Sequence, residues 1–180
     1  MQDKKGIARL IEFFMVFTIF IIIIGGFYAI VNIYRPAIMG YLEEDTMRLV
    51  ELLISQPGFY TNTTINNWED YGYEEIINAE NKSIGLAIDN QTYGILHWGK
   101  IHKLINNTTE EWYECVRSVL KLKEGGYHLN ITFTNLTTNE KYYFGNESAG
   151  KYGFCWKRIT VVYNGNYIPF AIEVRLAKRQ

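Results

Sequence analysis

The hydrophobic pattern divides the chain into an apolar N-terminal part and a remainder in which apolar and polar residues recur at regular spacing. Residues 13–31 form an unbroken apolar run of 19 residues, with Thr18 as its most polar member. As a helix rising about 1.5 Å per residue, the run spans roughly the 30 Å hydrocarbon core of a bilayer. It predicts a transmembrane helix over 10–35 after a basic leader over 1–9. A secretory signal peptide is the alternative, but signal peptides have a shorter apolar core and a small-residue cleavage site.

Beyond Pro36, apolar residues recur at helical spacing among charged ones. These apolar residues are Ile38, Leu42, Leu49 and Leu53. Because proline lacks an N–H group, Pro36 is expected to kink the helix or to begin a second one. The pattern predicts an amphipathic continuation over 36–56, which Pro57 and Gly58 end.

The remaining residues, 57–180, are expected to form one extracytoplasmic head domain. Its first part indicates an irregular polar loop and then a short strand over 83–88. Residues 94–103 fit a strand or a helix. Thr108 and Glu111 form a capping-box pattern ahead of a helix that ends at Gly125 and Gly126. That helix has one apolar face, formed by Trp112, Cys115, Val116, Val119 and Leu120.

The last third of the chain changes to a period of two. Four segments alternate apolar and polar residues between short turns: YHLNITFTN, EKYYFG, GFCWKRITVVYNG and NYIPFAIEVRLA. They predict an antiparallel β-meander with one face against helices. Pro169 favours an edge position or a bulge for the last strand. The expected fold class is α+β: a long N-terminal transmembrane and amphipathic helix, then a small head with a helix and a four-stranded antiparallel meander.

Charges flanking the apolar run predict its orientation. Lys4, Lys5 and Arg9 precede it, and only Arg35 follows closely, so the N-terminus is expected in the cytoplasm. The chain is then a single-pass protein of the cell membrane, in contact with lipid, with its head outside the cytoplasm.

Glycosylation sequons support the same orientation. Eight of the fifteen asparagines begin an N-x-S/T sequon, where chance would supply about two. They are Asn62, Asn81, Asn90, Asn106, Asn107, Asn130, Asn135 and Asn146, all beyond the apolar run. The preference of Asn and Thr for turns and strands explains some of them but not their density. We expect an N-glycosylated head, modified by an oligosaccharyltransferase.

Composition indicates which ligands the head is not expected to bind and whether it contains a disulfide. The net charge of −1 and the dispersed Lys and Arg residues argue against nucleic-acid binding. Cys115 and Cys155 are the two cysteines, and an oxidising compartment favours a disulfide between them over two free thiols.

No residue pattern indicates catalysis, a metal site or a cofactor. On one helix, His97 and His102 would lie about 140° apart, so they share no ligand face. Surface or satisfied-core positions suit them and His128 better than a metal site. Glu110 and Glu111 are interpreted as first-turn charges that complement a helix dipole. The chain is not expected to be an enzyme.

A basic leader ending in KKG, an apolar run with Glu12 at its start and an amphipathic continuation together resemble archaeal surface proteins of the type IV pilin-like class. The resemblance covers most of the chain and implies a major or minor subunit of an extracellular filament. It also implies that a prepilin peptidase cleaves after Gly6 and frees Ile7. The glutamate of the family usually stands one residue earlier than Glu12 does. A non-polymerising single-span surface glycoprotein whose head binds a ligand or an envelope partner is the alternative.

Glu12 has two interpretations. A carboxylate near the membrane interface costs little, so Glu12 needs no partner there. By the resemblance, it instead pairs with the free amine of Ile7 in another pilin-like subunit and sets the stagger between subunits.

Overall fold

The structure, a computed structural model, describes residues 3–60, 68–145 and 153–178. The chain divides into two compact units, Met1–Tyr41 and Leu42–Gln180. Helix α1 extends from Asp3 to Ser55, so it supplies the first unit and the beginning of the second. A second helix starting at Pro36 is not observed. Pro36 removes one helical hydrogen bond, to the carbonyl of Asn32, and a helix of this length continues through that loss.

The second unit contains short elements and then long strands. They are β1 (Gly58–Tyr60), a 3₁₀ helix (Trp68–Asp70), α2 (Tyr73–Asn78), β2 (Lys82–Ile84), β3 (Ile95–His97), α3 (Trp98–Asn106), α4 (Glu110–Val119), β4 (Tyr127–Asn135), β5 (Lys141–Gly145), β6 (Gly153–Tyr163) and β7 (Tyr167–Lys178). The segment 94–103 therefore forms both a strand and a helix. The strand predicted over 83–88 is shorter and begins one residue earlier.

The main sheet has five strands in the order β3-β6-β7-β4-β5. β3 runs parallel to β6, and the other neighbours are antiparallel. The α+β class is confirmed, but the four-stranded meander is wrong. Two hairpins, β4–β5 and β6–β7, are joined by pairing of β4 with β7. This pairing places β7 at the centre of the sheet, where both its hydrogen-bonding edges are used.

The edge position or bulge predicted for Pro169 is not observed. Pro169 lies in the central strand β7 and pairs with Val161 of β6 in an uninterrupted register. Its carbonyl accepts from the N–H of Leu136, so the ring nitrogen of Pro169 also faces the β4 side. Pairing between β4 and β7 ends at Asn135 and Phe170, and Pro169 lies just outside the paired stretch, on the N-terminal side of Phe170. The missing N–H therefore interrupts no ladder bond, which explains why a proline is tolerated there.

One face of the sheet forms the core of the head. The alternate residues Leu129, Ile131, Phe133, Ile172, Val174 and Leu176 are fully buried, together with Leu53 of α1, Leu104 of α3 and Val116 of α4. The rings of Trp68 and Trp112 stack 6.4 Å apart. Their indole N–H groups donate to the carbonyls of Gly85 at 2.8 Å and Leu104 at 3.3 Å. Both tryptophans thus enter the core with their polar atoms satisfied.

The opposite side of the sheet carries Cys155, Lys157, Ile159, Glu173 and Arg175, and we call it the open face. Cys155 pairs with Arg175 and Lys157 with Glu173, so these side chains share one side. Ile159 is 78% exposed.

Helix α4 is capped differently from the prediction. The hydroxyl of Thr109, and not that of Thr108, accepts from the N–H of Trp112 at 3.3 Å. The helix ends at Val119, before the predicted stop at Gly125 and Gly126. Lys121 already has a φ of 58°, a left-handed conformation that ends a helix.

Candidate functional site

The described residues contain one stretch that is long and apolar enough to cross a membrane, Glu12–Ile30 in α1. Its side chains are exposed along the whole stretch. The hydroxyl of Thr18 donates to the carbonyl of Phe14 at 2.7 Å, so this polar group is satisfied within the helix. The stretch is consistent with a single membrane span or with a signal sequence.

The residues predicted for processing and assembly lie at the start of this helix. Gly6 and Ile7 belong to the helical backbone of α1, and Glu12 is exposed where the apolar stretch begins. No charged residue occurs between Phe13 and Ile30. Gly25 and Gly26 leave the helix surface open, since a Cβ added at either position would meet no atom within 4 Å. Glu12 is therefore the one carboxylate beside a long apolar surface.

The predicted disulfide between Cys115 and Cys155 is wrong, because both cysteines are free. Cys115 is fully buried on α4, and its thiol contacts the carbonyl of Tyr73 in α2 at 3.7 Å. Cys155 lies on the open face. The number of cysteines and their compartment favoured a disulfide, but neither indicates where in the fold each thiol lies.

Thiol labelling checks this correction. In the folded protein, a maleimide should modify Cys155 and leave Cys115 unmodified, because burial hides Cys115 and raises the pKa of its thiol. Mass spectrometry should find one label in the native protein and two after unfolding without reductant. If neither cysteine is labelled until a reductant is added, the two thiols form a disulfide and the predicted pairing is right.

The sequons differ in accessibility. Asn81, Asn90 and Asn106 are exposed, Asn107 and Asn130 are half-buried, and Asn62 and Asn146 lie outside the described residues. Asn135 is 8% exposed, and its side-chain oxygen accepts from the N–H groups of Thr137 and Thr138 at 2.9 and 3.2 Å. Asn135 therefore organises the turn between β4 and β5.

N-glycosylation of the head stays a prediction, and the exposed sequons are the sites at which we expect it. Native protein should exceed the 21.0 kDa polypeptide mass by several glycans, and glycopeptide mapping should find Asn81, Asn90 and Asn106 before Asn135. A native mass equal to the bare chain would refute the expectation.

A cleft that the sequence analysis missed lies where α4 packs against an edge of β4. β5 ends at Gly145, opposite Asn130, so residues 127–129 extend past the end of that strand. Side chains of α4 bond the backbone there. The Tyr113 hydroxyl accepts from the N–H of Leu129 at 3.0 Å and contacts its carbonyl at 3.3 Å. Nε of Arg117 donates to the carbonyl of Tyr127 at 2.7 Å.

The cleft has a volume of about 440 Å³, between the start of α4 and the ends of β4 and β5. At its base, Arg117 is only 2% exposed and pairs with the carboxylate of Glu114. The guanidinium also lies 5.5 Å from the centre of the Tyr113 ring. Desolvation raises the pKa of Tyr113, which therefore stays protonated. The polar side chains at the base of the cleft are thus held in place by hydrogen bonds within the protein.

Lys100 is a second buried cation. It is 1% exposed, and its ammonium donates to the carbonyls of Pro57 at 2.6 Å and Ala87 at 3.0 Å. Burial lowers the pKa of Lys100 and raises the pKa of Glu69, which lies near it. Because its bonds go to backbone carbonyls in two separate segments, Lys100 ties α3 to them and acts structurally.

Two of the histidines have polar neighbours. Nδ1 of His97 is 3.8 Å from the carboxylate of Glu69, and the ring of His102 contacts Asn106. Among the described residues, no group of three or more His, Cys, Asp or Glu side chains could hold a metal ion.

No family model, curated protein or solved structure matches the chain.

Proposed function

We propose that this chain is a membrane-anchored, pilin-like structural subunit, major or minor, of an extracellular type IV-like filament. The observation that carries the proposal is the exposed apolar stretch Glu12–Ile30, which begins at a single carboxylate. Apolar surface of this extent needs lipid or other apolar helices around it. In a filament subunit, lipid covers the helix before assembly and the helices of neighbouring pilin-like subunits cover it afterwards.

Glu12 supplies the specificity of the proposed assembly. A carboxylate held among apolar helices is costly unless it is paired. Cleavage after Gly6 creates an amine on Ile7, close in sequence to Glu12. The Glu12 carboxylate of one subunit then pairs with the Ile7 amine of the next, which neutralises both charges and fixes their axial offset. Prepilin peptidase and, for the head, oligosaccharyltransferase are the processing partners.

The first test is the N-terminal sequence of the mature protein. Edman degradation or terminal peptide mapping of protein from its native cells should begin at Ile7. A chain that begins at Met1 would contradict processing, and a chain that begins beyond Ile30 would identify the apolar stretch as a cleaved signal sequence.

A single-span surface glycoprotein whose head binds a ligand is the second candidate. The cleft at the start of α4 favours it, because a purely structural head does not require a polar cavity of about 440 Å³. The two candidates differ in whether the chain leaves the membrane fraction as part of a filament.

A further inference from the structure

The main sheet has two edges at which strands lack a partner. On one side of the sheet, β3 pairs only with residues 161–163 of β6, so residues 153–159 of β6 form the edge. On the other side, β5 has β4 as its single neighbour. Within the described parts of the chain, no backbone hydrogen bond reaches residues 153–159 or β5 from outside the sheet. Each edge can therefore accept a further strand.

The backbone groups at the β6 edge point away from the sheet. The N–H of Val161 donates to the carbonyl of Gly94 at 3.1 Å, on the side away from β7. Because the backbone groups of an antiparallel strand alternate between its two sides, those of Ile159, Lys157 and Cys155 face the same way. All three residues are exposed. Their N–H and C=O groups are thus available to a partner strand.

The β5 edge is arranged in the same manner. The carbonyl of Glu140, just before β5, accepts from the N–H of Asn135 at 2.9 Å and so faces β4. By the same alternation, Tyr142 faces β4, and the backbone groups of Lys141 and Tyr143 point outward. Both of these residues are exposed.

The outward groups of the two edges match in one antiparallel register. It places Tyr143 of one copy opposite Lys157 of another copy, and Lys141 opposite Ile159. Residues with outward groups then face each other, and each such pair exchanges two backbone hydrogen bonds. A shift by one residue would set them against residues whose backbone groups already bond within the sheet.

Shifts by two residues are unfavourable for other reasons. In one direction, Lys141 would lie opposite Lys157, and like charges directly opposite each other destabilise a strand pair. In the other direction, Lys141 would lie opposite Val161, whose N–H is already bonded to Gly94. The two edges therefore specify a single register.

Side chains complement each other in this register. The ring of Tyr143, which is 46% exposed, lies opposite the ammonium of Lys157, and this arrangement favours a cation–π contact. Ile159, which is 78% exposed, lies opposite the aliphatic stem of Lys141. Lysines on edge strands usually discourage pairing, but here each lysine faces an uncharged side chain.

We propose that the β5 edge of one copy pairs with the β6 edge of a second copy of this chain, so that the main sheet continues from one head into the next. The contact joins two different edges, so each copy keeps one edge free and the contact can repeat. It involves the heads only. It therefore goes beyond the filament proposal and applies equally to an anchored protein that stays in the membrane.

Cysteine cross-linking of the full chain in detergent micelles tests this pairing. Tyr143→Cys and Lys157→Cys are made separately in a Cys155→Ser background, mixed and mildly oxidised. Residues directly opposite each other on paired strands lie within the reach of a disulfide. The mixture should give at least about fivefold more linked dimer than either variant alone, with peptide mapping joining positions 143 and 157.

A mixture of Tyr143→Cys and Tyr167→Cys is the matched control. Tyr167 is 66% exposed but begins β7, which lies at neither edge of the sheet, so its dimer yield measures chance collisions. Glu12→Gln should leave the yield of the opposed pair unchanged, which separates this contact from any packing of α1.

A proline variant tests whether the backbone forms the contact. The readout is a second opposed pair, Lys141→Cys mixed with Ile159→Cys. Because the N–H of Lys157 faces away from β7, Lys157→Pro leaves the β6–β7 bonds intact and removes a donor from the edge. Added to the Ile159→Cys chain, Lys157→Pro should lower the dimer yield about fivefold, whereas Lys157→Ala should lower it much less. Circular dichroism verifies that the variants are folded.

Three outcomes would overturn the inference. The first is a yield from the opposed positions no higher than that of the Tyr167→Cys mixture. The second is an equal loss with Lys157→Pro and Lys157→Ala. The third is dimer formation by Lys157→Cys alone at the yield of the mixture, which would show that two β6 edges pair with each other.

Discussion

Trp112→Ala is expected to lower the free energy of unfolding of the head by about 3–5 kcal/mol. Trp112 is fully buried, stacks on Trp68 and donates its indole N–H to the carbonyl of Leu104. Truncation leaves a large cavity and removes the partner of a buried carbonyl. Denaturant unfolding in micelles, followed by circular dichroism, should show a lower midpoint with a similar slope.

An isoleucine pair controls for truncation as such. Ile172 in β7 is fully buried, and Ile159 in β6 is 78% exposed. Ile172→Ala should cost about 2–5 kcal/mol, whereas Ile159→Ala should stay within about 0.5 kcal/mol of wild type. Comparable losses at the two positions, or a Trp112→Ala head as stable as wild type, would contradict the assignment of the buried face.

Glu12→Gln is expected to abolish or strongly reduce filament assembly while sparing membrane insertion. Glutamine keeps the size of the side chain and removes its charge, so the anchor becomes no less hydrophobic. The amine of Ile7 then loses its partner in a low-dielectric surrounding, at a cost of a few kcal/mol per subunit contact. Western blots of membrane fractions should find the variant at the wild-type level. Thr18→Ser is the matched control, since it changes a polar side chain of the same stretch without altering charge.

Local patterns predicted much of the fold. The apolar run predicted the membrane-length stretch within α1, and the period of two located the strands that became β4 to β7. The predicted apolar face of α4 is fully buried at Trp112, Cys115 and Val116, whereas Val119 and Leu120 are half-buried. Each of these features depends on residues that are close in sequence.

Long-range pairing was not predictable in the same way. β4 pairs with β7 across more than thirty intervening residues, and the alternation within a strand does not specify its neighbour. β3 has only three residues, too few for a period to emerge. Pro169 indicated an edge strand or a bulge, because the sequence does not show that β4 ends just before the position opposite the proline.

The cleft and the cysteines show how site residues were missed. Tyr113 and Arg117 are four residues apart on α4, so they share a helix face, but their role depends on β4 extending past β5. The alternation in GFCWKRI places Cys155 on the same face as Lys157, opposite Trp156, and this signal favoured an exposed thiol. The sequence did not indicate a role for Lys100, because its hydrogen-bond partners are backbone carbonyls of distant segments.

Polymerisation can be measured by shearing cells and quantifying the chain in the released extracellular fraction, for wild type and Glu12→Gln at matched membrane levels. If the chain is a filament subunit, sheared filaments should contain the wild-type chain and little or none of the variant. Wild type confined to the membrane fraction, or a variant that is released equally well, would contradict it and favour the non-polymerising surface glycoprotein.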